Sequence, residues 1–156
     1  MNLHLEKAKE SSYEDYYKIR EEKINLFWTG YNSAPDYQKF KKWFCERLKD
    51  SFRSIYLLYI DDHCAGALHV DQGDEAVFIG YSVKHEFQNR GLATFMVEKA
   101  IGLSKKINKK KIMAWVNNEN IASRKVLEKF GFLCIDKEKR KWHNEVKTYL
   151  LYSLNT

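Results

Sequence analysis

The chain has few cysteines, and those that it has are poorly placed for structural or catalytic work. Its 156 residues include 3 cysteines, Cys45, Cys64 and Cys134, which are scattered and form no Cys-x-x-Cys pair. The odd number and the spacing argue against a disulfide framework and against a zinc site. None of the three lies in a setting typical of a nucleophile. We therefore expect reduced thiols, a cytoplasmic protein and no bound metal.

Long apolar runs and linker-like segments are missing as well. No stretch approaches the roughly 20 apolar residues that a membrane helix needs, and the charged N-terminal stretch lacks a signal-peptide pattern. The only proline, Pro35, follows a segment in which a helical pattern breaks. Without repeats or low-complexity segments, residues 1–156 are expected to form one domain, large enough to bury a core and not associated with a membrane.

Positive charge exceeds negative charge only moderately. There are 27 Lys and Arg against 21 Asp and Glu, a net charge of +6. This excess is compatible with nucleic acid or with a polyanionic cofactor such as coenzyme A. The most basic run, residues 105–111, follows a predicted helix, where cations complement the helix dipole. Basic residues do not alternate with aromatic ones as in single-strand binders, so we expect no nucleic acid partner.

Hydrophobic periodicity predicts an ordered alternation of strands and helices. Period-2 patterns and apolar runs indicate strands, and apolar residues at helical spacing indicate helices. The predicted order is βααβββαβαββ, and the fold class is α/β of the α+β type. The predicted strands lie at about residues 3–8, 54–60, 64–70, 76–83, 112–116, 132–136 and 146–154.

The most informative stretch joins the strand predicted at residues 76–83 to the helix that follows it. Between them lies Gln88-Asn89-Arg90-Gly91-Leu92-Ala93. Where a strand turns into a helix, several backbone amides are unpaired and the helix dipole adds positive potential, which suits a phosphate. Gly91 lets the backbone approach a ligand, and the small Ala93 keeps the first helical turn open. An ordinary strand–helix turn, with glycine present only for its geometry, is the alternative.

A second segment supports a more specific interpretation of the loop at residues 88–93. Asn120-Ile121-Ala122-Ser123 is followed by a Val-Leu-Glu-Lys-x-Gly-Phe sequence at residues 126–132. Together the two segments resemble the central motifs of the GNAT superfamily of N-acetyltransferases: a Gln-x-x-Gly-x-Gly/Ala loop, then Asn-x-x-Ser/Ala, then Gly-Phe. Details such as Ile79-Gly80-Tyr81 are similar to the ribosomal-protein N-terminal acetyltransferases. The resemblance implies a mixed, twisted sheet of about seven strands flanked by helices, with two neighbouring strands splayed around a cofactor.

The resemblance also implies how acetyl-CoA, the expected co-substrate, would be bound. Pantetheine would pair with the end of the central strand at Tyr81, Ser82 and Val83. Asn120 would bond the pantetheine arm, with an ordinary helix N-cap as the alternative. Arg90 would either neutralise phosphate or remain solvated. The pyrophosphate would lie on the backbone amides of one loop and helical turn, assisted by the Thr94 hydroxyl: Gln88, Asn89, Arg90, Gly91, Leu92, Ala93 and Thr94.

The catalytic residues are predicted less directly. Many relatives place a tyrosine seven residues after the motif asparagine, where this chain has Leu127. Ser123 is our candidate for the general acid; it could instead bond a backbone carbonyl one turn back. Tyr149 and Tyr152 are the other candidate phenols. For the general base we single out Glu75, on the same strand face as Val77, Ile79 and Tyr81, although a solvated turn carboxylate is the alternative.

An aromatic segment at residues 27–31 is the candidate for acceptor binding. In the family this connection borders the acceptor entrance, so Trp28 and Tyr31 are predicted to contact the acceptor. Phe27 is expected to pack under the first helix, which is also the alternative for Trp28.

The predicted function is transfer of acetyl from acetyl-CoA to a primary amine, by direct attack in a ternary complex. The acceptor, a small molecule or a peptide, is left open between a protein N-terminus, a polyamine or antibiotic amine, and an amino group on a nucleotide-linked sugar. A homodimer is left open too. The alternative is a GNAT-fold module that binds coenzyme A without efficient turnover, which the leucine at position 127 favours.

Overall fold

A computed structural model describes residues 2–29, 33–142 and 145–156, with the side chain of residue 142 excepted. In these ranges, seven strands form one sheet, and five α-helices flank it. Within the described residues, no helix is both long enough and apolar enough to cross a bilayer. In chain order the elements are β1 (Leu3–Lys7), α1 (Tyr13–Arg20), α2 (Lys23–Thr29), α3 (Tyr37–Arg47), β2 (Arg53–Ile60), β3 (His63–Gln72), β4 (Ala76–Val83), α4 (Leu92–Lys106), β5 (Lys111–Asn117), α5 (Ile121–Lys129), β6 (Leu133–Trp142) and β7 (Glu145–Asn155).

The predicted mixed sheet is confirmed, with strand order β1-β2-β3-β4-β5-β7-β6. Every neighbouring pair is antiparallel except β4 and β5, which are parallel and joined through α4. The last hairpin is longer than predicted, because the charged stretch after Asp136 continues as strand up to Trp142. The unpaired edge of a sheet carries charged residues commonly, so a charged stretch does not exclude a strand there.

Where the predicted order has two helices between the first two strands, the structure has three, because the first predicted helix is divided in two. α1 ends at Arg20, and α2 starts at Lys23. Asn25 of α2 links the two helices: its buried Nδ2 donates to the Ile19 carbonyl over 3.1 Å. This carbonyl, in the last turn of α1, also accepts from the Glu22 amide over 3.3 Å.

Core residues divide between the two faces of the sheet, because alternate residues of a strand point to opposite sides. Leu68, Val70, Val77 and Ile79 belong to the cluster that includes residues of α4 and α5. A second cluster, under α1 and α3, includes Ala67 of the same strand β3. We call these two sides the α4 face and the α1 face.

The parallel strands β4 and β5 pair over only a short distance. Their register runs from Ala76↔Lys111 to Phe78↔Met113 and then stops. Beyond it, β4 stays paired with β3 as far as Gly66↔Val83, and β5 stays paired with β7 as far as Asn117↔Tyr149. The two strands therefore separate toward their carboxyl ends while each keeps its outer neighbour, which confirms the predicted splay.

Gly66 fixes how closely β3 and the end of β4 approach each other. A Cβ at this position would lie 2.7 Å from the Ser82 carbonyl oxygen and 3.2 Å from Met96 Cε. Gly66→Ala should therefore destabilise the protein by about 1–3 kcal/mol, the usual cost of overpacking. Gly102→Ala is the matched control, since a Cβ there meets no atom within 4 Å and the residue is an exposed helical position. We expect Gly102→Ala to stabilise by about 0.5–1 kcal/mol, and chemical denaturation measures both effects.

Candidate functional site

A cavity of about 650 Å³ lies where β4 and β5 separate. Its wall includes Ile79, Tyr81 and Val83, whose parity in β4 puts them on the α4 face, together with residues of α5. It also includes Gly80 and Ser82, which point to the α1 face, together with residues of α1 and α2. The cavity is thus lined from both sides of the sheet. Two molecules could meet in it from opposite faces.

The loop before α4 forms one end of the cavity. Asn89 and Gly91 both have left-handed backbone angles, with φ of 62° and 76°. The amide of Phe95 donates to the Gly91 carbonyl over 3.0 Å, so the helical amides that precede it have no acceptor within the helix. A Cβ at Gly91 would meet no atom within 4 Å, which means that this backbone borders open space. Backbone amides at a helix start beside open space form a site for an anionic group.

Most of the predicted coenzyme-binding residues lie together at this cavity. Arg90 is the exception: it is exposed, and its guanidinium lies 5.4 Å from the centre of the Phe87 ring. Leu92 has its side chain in the core, so only its backbone is available to a ligand. The residues of the predicted set that line the cavity are Tyr81, Ser82, Val83, Gln88, Asn89, Gly91, Leu92, Ala93, Thr94 and Asn120.

Asn120 and Ser123 occupy the first turn of α5. Asn120 is the N-cap, and its Oδ1 accepts from the Ser123 amide over 3.2 Å. The Ser123 hydroxyl lies 2.8 Å from the hydroxyl of Tyr81, across the gap between α5 and β4. In the described part of the chain, Ser123 Oγ makes no bond to the carbonyl one turn back, which was the alternative considered for it.

Tyr81 therefore supplies a phenol that the sequence did not predict at this place. Burial raises the pKa of Tyr81 to about 12, against a smaller lowering by the hydrogen bond with Ser123. The phenol stays protonated at neutral pH and can donate. The sequence assigned Tyr81 only to coenzyme binding, because nothing in it shows that this strand residue reaches α5. Leu127, where relatives have their tyrosine, is fully buried in the core.

The two other candidate phenols are placed differently. The hydroxyl of Tyr152 accepts from Arg124 Nε over 3.2 Å, and Tyr152 does not line the cavity. Tyr149 does line it, and its buried hydroxyl has no partner in the described region. Its neighbour across the strands, Asn117, has a buried Nδ2 that is also without a partner there.

His69 is a cavity residue that the sequence analysis missed. It lies on β3 at the α1 face, and its Nε2 is 2.8 Å from the hydroxyl of Tyr16. Burial, together with the smaller effect of the positive charges of Arg20 and Arg47, lowers the pKa of His69 to about 3. The imidazole is neutral at physiological pH. Its only signal in the sequence was a histidine in an otherwise apolar strand.

The predicted base and acceptor residues fall in different places. Glu75 is exposed in the turn before β4 and does not line the cavity. Trp28, in α2, lines it. Tyr31 lies outside the described residues. The expectation that Phe27 packs under the first helix is wrong, since 45% of its surface is exposed and Lys147 Nζ lies 4.3 Å from its ring.

Comparison with known proteins gives a family match and a set of similar structures. A model described as the acetyltransferase (GNAT) family matches residues 13–132. A sequence comparison with curated proteins finds no match.

Among solved structures, a spermidine N-acetyltransferase from Vibrio cholerae, in complex with CoA and spermine, has a TM-score of 0.89 at 12% identity, covering 98% of this chain and 95% of that one. The acetyltransferase of Salmonella typhimurium that modifies the N-terminal serine of ribosomal protein L7/L12 has a TM-score of 0.84 at 16% identity, with coverage of 100% and 96%. A ribosomal-protein-alanine N-acetyltransferase from Brucella melitensis has a TM-score of 0.85 at 12% identity, with coverage of 98% and 99%. These likenesses concern the fold.

The neutral state of His69 makes stability depend on pH. Between the pKa of about 3 in the folded protein and ~6.5 in an unfolded chain, the unfolded state binds the extra proton, so stability falls as pH drops below ~6.5. By pH 5 this contribution approaches about 2 kcal/mol. His69→Gln should remove that part of the loss when unfolding is measured by denaturant at pH 7 and pH 5. His63→Gln, at the exposed first residue of β3, should leave the loss unchanged. An unaltered pH profile in His69→Gln would show that the imidazole is not held neutral.

Proposed function

Since the chain belongs to the acetyltransferase (GNAT) family, we propose that it transfers the acetyl group of acetyl-CoA to a primary amine by direct attack in a ternary complex. One observation carries this proposal above the others: the cavity at the β4–β5 separation is lined from both faces of the sheet. Coenzyme and amine could enter from opposite sides and meet between the strands. The neutral amine attacks the acetyl carbonyl, the new C–N bond replaces the C–S bond, and the thiolate leaves.

The α4 face would hold the coenzyme. The amides between Gln88 and Thr94 offer the donors for a pyrophosphate, and the conformation of Gly91 leaves room for it. The backbone of β4 from Tyr81 to Val83 is paired with β3 and not with β5, so its other side is available to the amide groups of pantetheine. Asn120, in addition to capping α5, lies on the same wall.

The hydroxyls of Ser123 and Tyr81 would protonate the departing thiolate. Ser123 would donate its proton to the sulfur and take one from Tyr81, and Tyr81 would then regain a proton from solvent; a pKa near 12 keeps the phenol protonated before each turnover. A thiol has a pKa of ~8.5, so the thiolate leaves fairly readily and the acid has moderate work to do.

The amine must be neutral when it attacks. At pH 7, reaching the neutral form costs an α-amine with a pKa near 8 only ~1.4 kcal/mol. The same step costs an alkyl amine with a pKa of ~10.4 about 4.6 kcal/mol. His69 lies on the α1 face with a neutral ring whose Nε2 is already bonded to Tyr16, so it adds no positive charge that would repel the incoming amine. With so low a pKa His69 does not serve as the base, and the proton released after attack goes to solvent. Glu75 has no part in this proposal, because it lies away from the cavity.

The alternative, coenzyme binding without turnover, rested on the missing tyrosine at position 127. The pair of Tyr81 and Ser123 offers a phenol and a hydroxyl at the wall of the same cavity. This pair favours the enzyme over the binding module.

Gly91→Glu tests the coenzyme site. A carboxylate at this loop would repel the pyrophosphate, so acetyl-CoA should raise the melting temperature of the wild type and not that of the variant. Gly102→Glu adds the same charge at an exposed position of α4 away from the loop and should keep the full shift. An equal shift in Gly91→Glu and the wild type would place the coenzyme elsewhere.

Ser123→Ala and Tyr81→Phe test the acid. Each should lower kcat by about 100-fold, the usual worth of general acid catalysis, with little change in KM for acetyl-CoA. Tyr152→Phe removes a phenol that does not line the cavity and should leave kcat near the wild-type value. Thiol release from acetyl-CoA measures all three. Losses below about threefold in both cavity variants would assign the proton to water.

A further inference from the structure

The part of the cavity on the α1 face contains polar groups that no described residue bonds. Arg20 Nε, Asn117 Nδ2 and the Tyr149 hydroxyl are all buried and have no partner among the described residues. All three residues line the cavity. A buried donor left unpaired costs about 1–3 kcal/mol, so three at one cavity are an unusual concentration. Such groups are expected where a ligand completes the hydrogen bonding.

These donors lie on both walls of that half of the cavity. Asn117 and Tyr149 are opposite each other on β5 and β7, and Arg20 is at the end of α1. The loop that would hold the coenzyme's pyrophosphate belongs to the other face, where α4 begins. The three donors are therefore separate from the proposed phosphate site and face the entrance left to the second substrate.

The charges of the cavity wall are unbalanced. Of the described residues that line it, only Arg20 and Asp71 carry a formal charge at neutral pH. Asp71 already has a partner outside the wall, Arg47, whose Nη2 lies 2.8 Å from its Oδ1, with only 10% of the arginine side chain exposed. Arg20 makes no ion pair with a described residue. The wall thus presents one uncompensated guanidinium, which repels cationic ligands and attracts anionic ones.

We propose that the amine acceptor is a small molecule that also carries a carboxylate, and that Arg20 binds this carboxylate. The proposal rests on the function proposed above and names its substrate class. Arginine suits this role because its donors match the two oxygens of a carboxylate. Asn117 and Tyr149 donate to the remaining acceptor atoms of the bound molecule. A polyamine, which brings only positive charge, is disfavoured.

The same half of the cavity has apolar surface beside these donors. Trp28, Phe78 and Trp115 all line it, from α2, β4 and β5. Aromatic rings of this kind accept an aliphatic or aromatic substituent. An amino acid with an apolar side chain therefore fits the combination of a guanidinium, neutral donors and ring surfaces.

Matched pairs of amines test the substrate class. Thiol release from acetyl-CoA is measured with L-leucine and L-phenylalanine, with leucinamide and phenylalaninamide, with spermidine and with a short peptide of free N-terminus. The amides lack the carboxylate, and their amines are neutral more often because no negative charge holds the proton. Basicity alone would favour the amides, so a higher kcat/KM for the amino acids would point to recognition of the carboxylate.

Arg20→Gln tests whether Arg20 is the group that binds the carboxylate of the acceptor. KM for the amino acids should rise by about 10- to 100-fold, as for loss of a charge-assisted hydrogen bond, with KM for acetyl-CoA and for the amides unchanged. Arg53→Gln, which removes an equal charge at an exposed position on β2, should change none of them. Arg20→Lys should restore part of the loss.

The inference is overturned if kcat/KM for the amides, spermidine or the peptide equals that for the amino acids. It is also overturned if Arg20→Gln affects amides and amino acids alike. In both cases the proposed acetyl transfer would still hold. If no amine releases thiol, the melting temperature of the CoA complex decides. Millimolar L-leucine or L-phenylalanine should raise it in the wild type and not in Arg20→Gln, and the absence of a rise in the wild type overturns the inference. Failure of acetyl-CoA itself to stabilise the protein would contradict the proposed function instead.

Discussion

The architecture depends on one interruption of hydrogen bonding, the end of the β4–β5 ladder after Phe78 and Met113. Separating two strands inside a sheet leaves backbone groups without partners, which is costly unless a ligand or water replaces them. The cost is limited here because β4 keeps β3 and β5 keeps β7 up to their last residues. The two strands are parallel, so both end at the same edge, and the helices α4 and α5 that follow them begin there.

Strand β4 contributes residues to both faces of the sheet at the opening, because alternate residues of a strand point to opposite sides. Tyr81 points to the α4 face and reaches Ser123, whereas its neighbours Gly80 and Ser82 line the part on the α1 face. A single strand thereby separates the proposed positions of coenzyme and amine by the thickness of a backbone. The acetyl group would have to travel only across that thickness. In the proposed mechanism, this short distance would couple the chemistry on one side to binding on the other without any movement of a domain.

Local signals in the sequence predicted the parts of the site that local structure builds. The loop around Gly91, the cap at Asn120 and the order of the strands all follow from short-range patterns. Contacts between distant segments did not: the Tyr81–Ser123 pair spans 42 residues, and the Tyr16–His69 pair spans 53. Glu75 shows the limit of reasoning from parity, since being on the same strand face as Tyr81 does not bring a residue to the cavity. Arg20 gave no signal, because a basic residue in the last turn of a helix is ordinary.

The close approach of β3 and β4 at Gly66 limits where residues can be inserted into this chain. A one-residue insertion in β4 would exchange its two faces beyond that point, turning Tyr81 away from Ser123 and bringing a neighbour in its place. The contact of Gly66 with the Ser82 carbonyl leaves no space for such a shift to be absorbed between β3 and β4. The turn at Asp61, by contrast, is exposed and is not among the residues that line the cavity. An insertion at that turn is therefore expected to be tolerated, whereas an insertion within β4 is not.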